Sequence, residues 1–163
     1  MLLIVGLFIS NFIFTILKTS IKRKRPYADK EVQNILEIDI QNRDIGHGSK
    51  EYESFPSGHA LWTTLCVSLI YFQYGVYSFI FLGWLIPVIL FLRLYLGVHY
   101  PSDALAGATL GIIDAKISVF ITDLFFNKIY NYYDNVFFII GYWCFMLLFI
   151  FLGMKSWIKR VRV

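Results

Sequence analysis

The chain has 163 residues, of which 58% are apolar and only 16% charged. A soluble domain carries about 45–50% apolar residues, because polar side chains must cover its surface, so this excess calls for a bilayer as second solvent. The net charge of +4 is gathered into a few stretches; with this much hydrocarbon the pattern excludes a nucleic-acid-binding domain and points to anionic lipid or another anion.

The first apolar segment, Leu2–Leu17, has no basic residues ahead of it and no small-residue cleavage site behind it. It reads as a membrane anchor rather than a cleaved signal. A polar stretch, Lys18 to His59, follows and holds most of the charge. Segments Ala60–Gly75 and Val76–Leu92 meet at Gln73-Tyr74-Gly75, a connection short enough to predict an antiparallel helical hairpin, and Pro87 predicts a kink in the second of them. The fourth segment, Ala104–Thr122, carries Gly107 and Gly111 at a spacing that lets two membrane helices approach closely. Asp114 and Lys116 lie in the same segment; ionisable groups are costly there, so both are expected to face the bundle or a wet cleft in a structural or interfacial role. Val136–Gly153 is the fifth.

Each segment holds 16 to 19 residues. A helix crossing about 30 Å of hydrocarbon needs about 20, and interfacial Tyr and Trp extend short spans at their ends. The expected fold is therefore all-α: a polytopic transmembrane helix bundle of about five membrane helices, with a polar loop after the first. Residues 1–122 are expected to form the core, with its active-site loop at 18–59, and residues 123–163 a linker, an additional membrane helix and a basic tail. Cys66 and Cys144 lie in apolar runs and make no disulfide framework.

With spans alternating in direction, three polar clusters meet at one membrane face: Lys18 with Arg25-Pro26, then Pro56-Ser57-Gly58-His59, then Arg93 with His99 and Asp103. Lys18, Arg25 and Arg93 are cations suited to a phosphate dianion, and Arg can hold two oxygens at once. Ser57 and Gly58 stand where a helix begins, so backbone N–H groups and the positive dipole end face the anion. Together these groups can stabilise the charge on a pentacovalent phosphorus. The spacing of His99 and Asp103 lets the carboxylate hold one imidazole N–H and leaves the other nitrogen to attack. His59 can protonate the leaving oxygen and later activate water.

Each cluster alone has a plainer reading. A single histidine at a membrane surface is more often interfacial than catalytic. Lys18 and Lys22 to Arg25 alone would be juxtamembrane basic residues on anionic lipid, worth about 1 kcal/mol each, and Ser57-Gly58-His59 alone an ordinary helix start. Order, spacing and a shared face make the joint pattern specific.

The three clusters resemble the motifs of the type 2 phosphatidic acid phosphatase family, the lipid phosphate phosphatases, from about Leu2 to Gly111. The resemblance implies an integral membrane phosphatase that hydrolyses a lipid phosphate monoester or pyrophosphate through a phosphohistidine. It implies His99 as nucleophile, Asp103 orienting it and His59 as general acid. Lys18, Arg25, Ser57, Gly58 and Arg93 would bind phosphate, with no metal and no cofactor. The implied partners are the bilayer and a membrane lipid: phosphatidic acid, phosphatidylglycerophosphate, a polyprenyl pyrophosphate or a lipid A phosphate. Nucleic acid is not among them; a second copy or partner helices are.

Three departures stand out. Leu92 replaces a serine usual in the family. One helix precedes the first motif where relatives commonly have two, which leaves either a shortened chain or a minimal variant that needs a partner. Finally, 13 Lys and Arg fall on the motif-bearing face, against Lys116 and Lys128 on the other. The positive-inside rule would place that face in the cytoplasm; the resemblance implies an extracytoplasmic or luminal site, and this reading is adopted. A vanadium haloperoxidase shares such a pocket but is soluble, against five apolar segments. A lipid phosphoryl or headgroup transferase is an alternative. So is a non-catalytic lipid-binding subunit, although anion binding alone has no need of His59, His99 and Asp103 together.

Overall fold

Ser10, Thr64, Asp103, Asp114 and Ser118 are buried, whereas Phe8, Phe12, Phe81, Trp84, Phe91 and Phe120 stand exposed. This inversion, polar groups inside and large apolar side chains outside, suits a helix bundle whose outer solvent is hydrocarbon. The fold comes from a computed structural model, which describes residues 2–44, 51–129, 136, 137, 140, 141, 143, 144 and 147.

All regular structure among the described residues is helical. The helices are α1 (Leu2–Ile21), α2 (Lys30–Leu36), α3 (Gly58–Tyr74), α4 (Val76–Leu82), α5 (Leu85–Tyr95) and α6 (Pro101–Ile129), with a 3-10 turn at Pro26–Ala28. Three stretches among them are long and apolar enough to cross a membrane: Leu2–Ala28, Val76–Tyr95 and Pro101–Leu124. The chain is thus a multi-pass, all-α membrane protein, as expected. The second expected span, α3, has 17 residues, or about 26 Å at 1.5 Å per residue. The fifth, Val136–Gly153, lies largely outside the described residues. Residues 1–122 form one compact unit, which contains every candidate site residue, and residues 123–163 a second.

Helix α3 is the hub of the first unit. Helices α1, α4 and α5 pack on it, and its Ala60, Leu61, Thr64, Leu65, Val67 and Leu69 are buried. In a bilayer no hydrophobic force drives helices together, so close packing and hydrogen bonds must do it. Gly107 and Gly111 supply the close packing of α6 on α3: a Cβ at Gly111 would stand 2.5 Å from the Leu61 carbonyl oxygen and 2.9 Å from the Leu65 nitrogen. Leu65, Leu69 and Ala115 form the apolar core, flanked by Leu2, Leu7 and Val119.

Two details of the spans differ from expectation. The kink ascribed to Pro87 is expressed at Gly83 and Trp84, where α4 ends and α5 begins. Gly83 is four residues before Pro87; proline has no N–H for that carbonyl, and its ring crowds it. The Gly83 oxygen instead accepts from Ile86 N at 3.2 Å. Asp114 and Lys116 also part company. Asp114 is buried and accepts hydrogen bonds from Ser10 of α1 and from Ser118, whereas Lys116 is exposed. Two residues turn an α-helix by about 200°, so both cannot face the bundle.

Candidate active site

Two short stretches of the polar loop lie side by side at the end of α1. Helix α1 stops where Lys22 takes a left-handed conformation (φ 44°), and the chain then runs along residues 51–54. Arg25 N donates to Glu51 O at 2.7 Å, and Ser54 N to Arg23 O at 3.0 Å. Lys18 Nζ reaches Glu53 O at 2.6 Å. A further bond, Ser57 N to Asp103 O at 3.0 Å, ties the start of α3 to the start of α6. Between α5 and α6, Gly97 adopts φ +71°, and a Cβ there would lie 2.7 Å from Gln41 O. A side chain would thus meet both backbone strain and the loop at Gln41. The third cluster of the sequence meets the second at Ser57, and the first meets residues 51–54, just ahead of the second.

His99 lies at the centre, with 6% of its surface exposed. Its Nδ1 is 2.6 Å from the Ser54 carbonyl oxygen. A carbonyl only accepts, so Nδ1 carries the hydrogen and, in the neutral ring, Nε2 holds the free lone pair. Burial, followed by the charges of Arg25 and Lys18 and more weakly Arg93, pushes the His99 pKa down to about 3, against a smaller upward pull from the Ser54 bond. The ring is therefore neutral at physiological pH, the form a nucleophile needs. The same three cations singled out in the sequence are those whose charge His99 feels.

Asp103 stands differently from the arrangement expected of it. Its Oδ2 is 4.0 Å from His99 Nδ1, beyond hydrogen-bonding range. Both its oxygens are engaged elsewhere. Oδ1 accepts from Arg23 Nη1 at 2.7 Å; Oδ2 accepts from Ser54 Oγ at 2.5 Å and from Tyr100 N at 3.0 Å. Arg23 also donates to Ser102 Oγ at 2.8 Å and lies 4.1 Å over the Tyr100 ring.

Neither Arg23 nor Ser54 was singled out from the sequence. Arg23 sits in the basic run Lys22 to Arg25 and was indistinguishable from a lipid-facing cation. Ser54 meets His99 through its backbone carbonyl, a group every residue has, so its residue type held no signal for that contact.

The cations are held from the loop side. Lys18 pairs with Glu53 at 3.9 Å and Arg93 with Asp44 at 3.7 Å. Arg25 is buried. His59, half-buried in the first turn of α3, meets Trp62 edge-on at a centroid distance of 6.4 Å. Among the described residues, no group of three or more His, Cys, Asp and Glu could hold a metal ion.

A family model described as PAP2 superfamily matches residues 1–129. The chain belongs to the PAP2 superfamily. It is 33% identical over 99 residues to the bacitracin transport permease protein BcrC of Bacillus licheniformis, covering 56% of this chain and 39% of that protein. It is also 30% identical over 102 residues to the decaprenylphosphoryl-5-phosphoribose phosphatase of Mycolicibacterium smegmatis, covering 63% and 48%. The same-named protein of Mycobacterium tuberculosis is 30% identical over 106 residues, covering 65% and 51%. The chain thus spans about half the length of the curated relatives it matches. No solved structure matches it.

The PAP2 match contains all three clusters. Their positions are the end of α1 and the turn after it for Lys18 and Arg25, the start of α3 for Ser57, Gly58 and His59, and the junction of α5 and α6 for Arg93, His99 and Asp103.

Proposed function

We propose that the chain is a membrane phosphatase that hydrolyses a lipid phosphate monoester or pyrophosphate, with His99 as nucleophile. One observation carries the reading. Five buried side-chain polar atoms among the described residues have no hydrogen-bond partner, and three of them are Arg25 Nε, Ser57 Oγ and Arg93 Nε. Buried groups of this kind are rare and call for an explanation. All three belong to the proposed phosphate set, and phosphate oxygens are the acceptors that two guanidinium groups and a hydroxyl suit best.

His99 Nε2 attacks phosphorus in line with the lipid oxygen, and the phosphorus–oxygen bond breaks as the phosphorus–nitrogen bond forms. Lys18, Arg25 and Arg93, with Ser57, Gly58 and the α3 N-terminus, offset the charge on the equatorial oxygens; the mechanism assigns this role to these groups rather than to a metal. His59 gives its proton to the leaving lipid oxygen. It then takes one from water, whose attack cleaves the phosphohistidine and releases inorganic phosphate. The imidazolium formed on attack is stabilised by its bond to Ser54 O and by Asp103 4.0 Å away.

The substrate's tails remain in the bilayer while its headgroup enters the site. Two relatives are named as decaprenylphosphoryl-5-phosphoribose phosphatases, which favours a polyprenyl-linked phosphate among the candidate lipids. We assign the active face to the extracytoplasmic side, as the family resemblance implies. Three of the 13 basic residues that argue otherwise, Lys18, Arg25 and Arg93, are assigned to phosphate.

The test is phosphate release from a panel of these lipids in detergent, with and without EDTA, followed by trapping of an acid-labile, base-stable phosphoenzyme with labelled substrate. His99→Ala should abolish both, and EDTA should leave the wild type active. Full activity in His99→Ala would remove the nucleophile assignment, and EDTA inhibition would reopen a metal mechanism. Transfer of label to an added lipid acceptor would identify a transferase instead.

A further inference from the structure

Asp103 does not touch His99, yet its carboxylate is fully buried and accepts three hydrogen bonds. What it holds is Ser54, through the hydroxyl, and the other end of Ser54, its carbonyl, holds His99. Arg23 closes the arrangement twice. Its guanidinium fixes Asp103, and its own carbonyl accepts from Ser54 N at 3.0 Å. Ser54 is thereby gripped at nitrogen, hydroxyl and carbonyl, and none of these contacts involves the groups assigned to phosphate.

We propose that Arg23 and Ser54 are positioning residues for His99: Arg23 holds Asp103, Asp103 holds the Ser54 hydroxyl, and the Ser54 carbonyl aims the imidazole. The inference rests on His99 being the nucleophile. Its physical basis is geometric. A carbonyl on an irregular loop has no helix or sheet to orient it, and a shift of about 1 Å in a reacting group can cost about a hundredfold in rate. The hydroxyl clamp supplies the rigidity that the local backbone lacks. The guanidinium in turn prevents the carboxylate from turning toward the imidazole, stacked as it is over Tyr100 and anchored on Ser102.

The arrangement predicts a distinctive kinetic pattern. Arg23→Gln, Ser54→Ala and Asp103→Asn should each lower kcat about 10- to 100-fold, the range typical of partners that orient a reacting ligand from behind, with KM changed by less than about threefold. Because all three act through one chain of contacts, Arg23→Gln placed in Asp103→Asn should cost less than about threefold more. Arg23→Lys should recover part of the loss: a single nitrogen of Arg23 makes both the Ser102 and Asp103 contacts, whereas the planar stack on Tyr100 is not reproduced by an ammonium. Arg23 is 38% exposed at its side chain, so its variants are expected to fold. Single-turnover phosphoenzyme formation, counted per folded molecule, keeps loss of protein from imitating loss of chemistry.

Independent, multiplying losses in the double variant would overturn the inference, as would a rise in KM with kcat unchanged, which would make Arg23 a substrate-binding cation. The two levels of the reading separate cleanly. Activity in His99→Ala would sink the phosphatase mechanism itself. An inactive His99→Ala beside fully active Arg23→Gln and Ser54→Ala would sink only the positioning chain.

Discussion

The molecule buries two carboxylates on the same helix, and they are set in opposite company. Asp103, in the first turn of α6, meets a guanidinium, a hydroxyl and a backbone N–H, with an imidazole just beyond. Asp114, three turns further along, meets only the hydroxyls of Ser10 and Ser118 among the described residues. Burial alone therefore does not mark a reacting group. The first carboxylate joins loops that carry the candidate chemistry; the second joins α1 to α6 in a region where hydrogen bonds are one of the few attractions between helices.

The sharpest way to break this comparison is to exchange the two ends. His99→Ala should lower phosphate release by at least about a thousandfold, as loss of a nucleophile does, whereas Asp114→Asn should keep turnover per folded molecule within about threefold. An inactive Asp114→Asn that nevertheless folded and bound substrate normally would move the chemistry toward the bundle interior. Next in size, Arg93→Ala or Arg25→Ala should reduce kcat/KM about ten- to a hundredfold. That is the worth of about 1.5–3 kcal/mol of charge-assisted hydrogen bonding to phosphate.

A smaller effect belongs to stability. Asp114→Ala leaves two serine hydroxyls without their acceptor, and interhelical hydrogen bonds in membranes average about 0.6 kcal/mol with a maximum near about 1.7. Thermal unfolding in detergent should show a loss of about 1 kcal/mol, and no loss would reduce the trio to a by-product of packing.

The subtlest test concerns pH. The folded pKa of His99, about 3, lies below the ordinary value of 6.5. Its contribution to stability is thus complete above about 6.5 and is lost as pH falls toward 3, because the unfolded chain takes up the proton first. The His99 ring signal in NMR should stay flat from about pH 8 to 5, and the acid fall in unfolding temperature should be shallower in His99→Gln. A ring that titrates near 6.5 would show that the three cations and burial do not act on it as described.

Much of this arrangement is legible in the amino-acid sequence. The first four apolar segments correspond to α1, α3, α4 with α5, and α6, because hydropathy reports a helix's solvent residue by residue. The glycine pair of α6 was legible for the same local reason: a missing Cβ permits close approach whatever the neighbour. The outward turn of Lys116 is not legible in the sequence, because hydropathy says nothing about which face of a helix turns inward. The bond expected between His99 and Asp103 was inferred from their spacing. Spacing brings two side chains within reach, but cannot tell that Arg23, Ser54 and Tyr100 have already engaged the carboxylate.

Residue types and their order were enough to determine a helical membrane protein with cations, histidines and a carboxylate gathered at the helix ends, since side-chain chemistry and transfer free energy are properties of each residue by itself. Which atom holds which was decided only in three dimensions. Hydrogen bonds depend on angstrom-scale placement of groups 45 to 80 residues apart, and a backbone carbonyl such as that of Ser54 has no letter in the sequence to announce it.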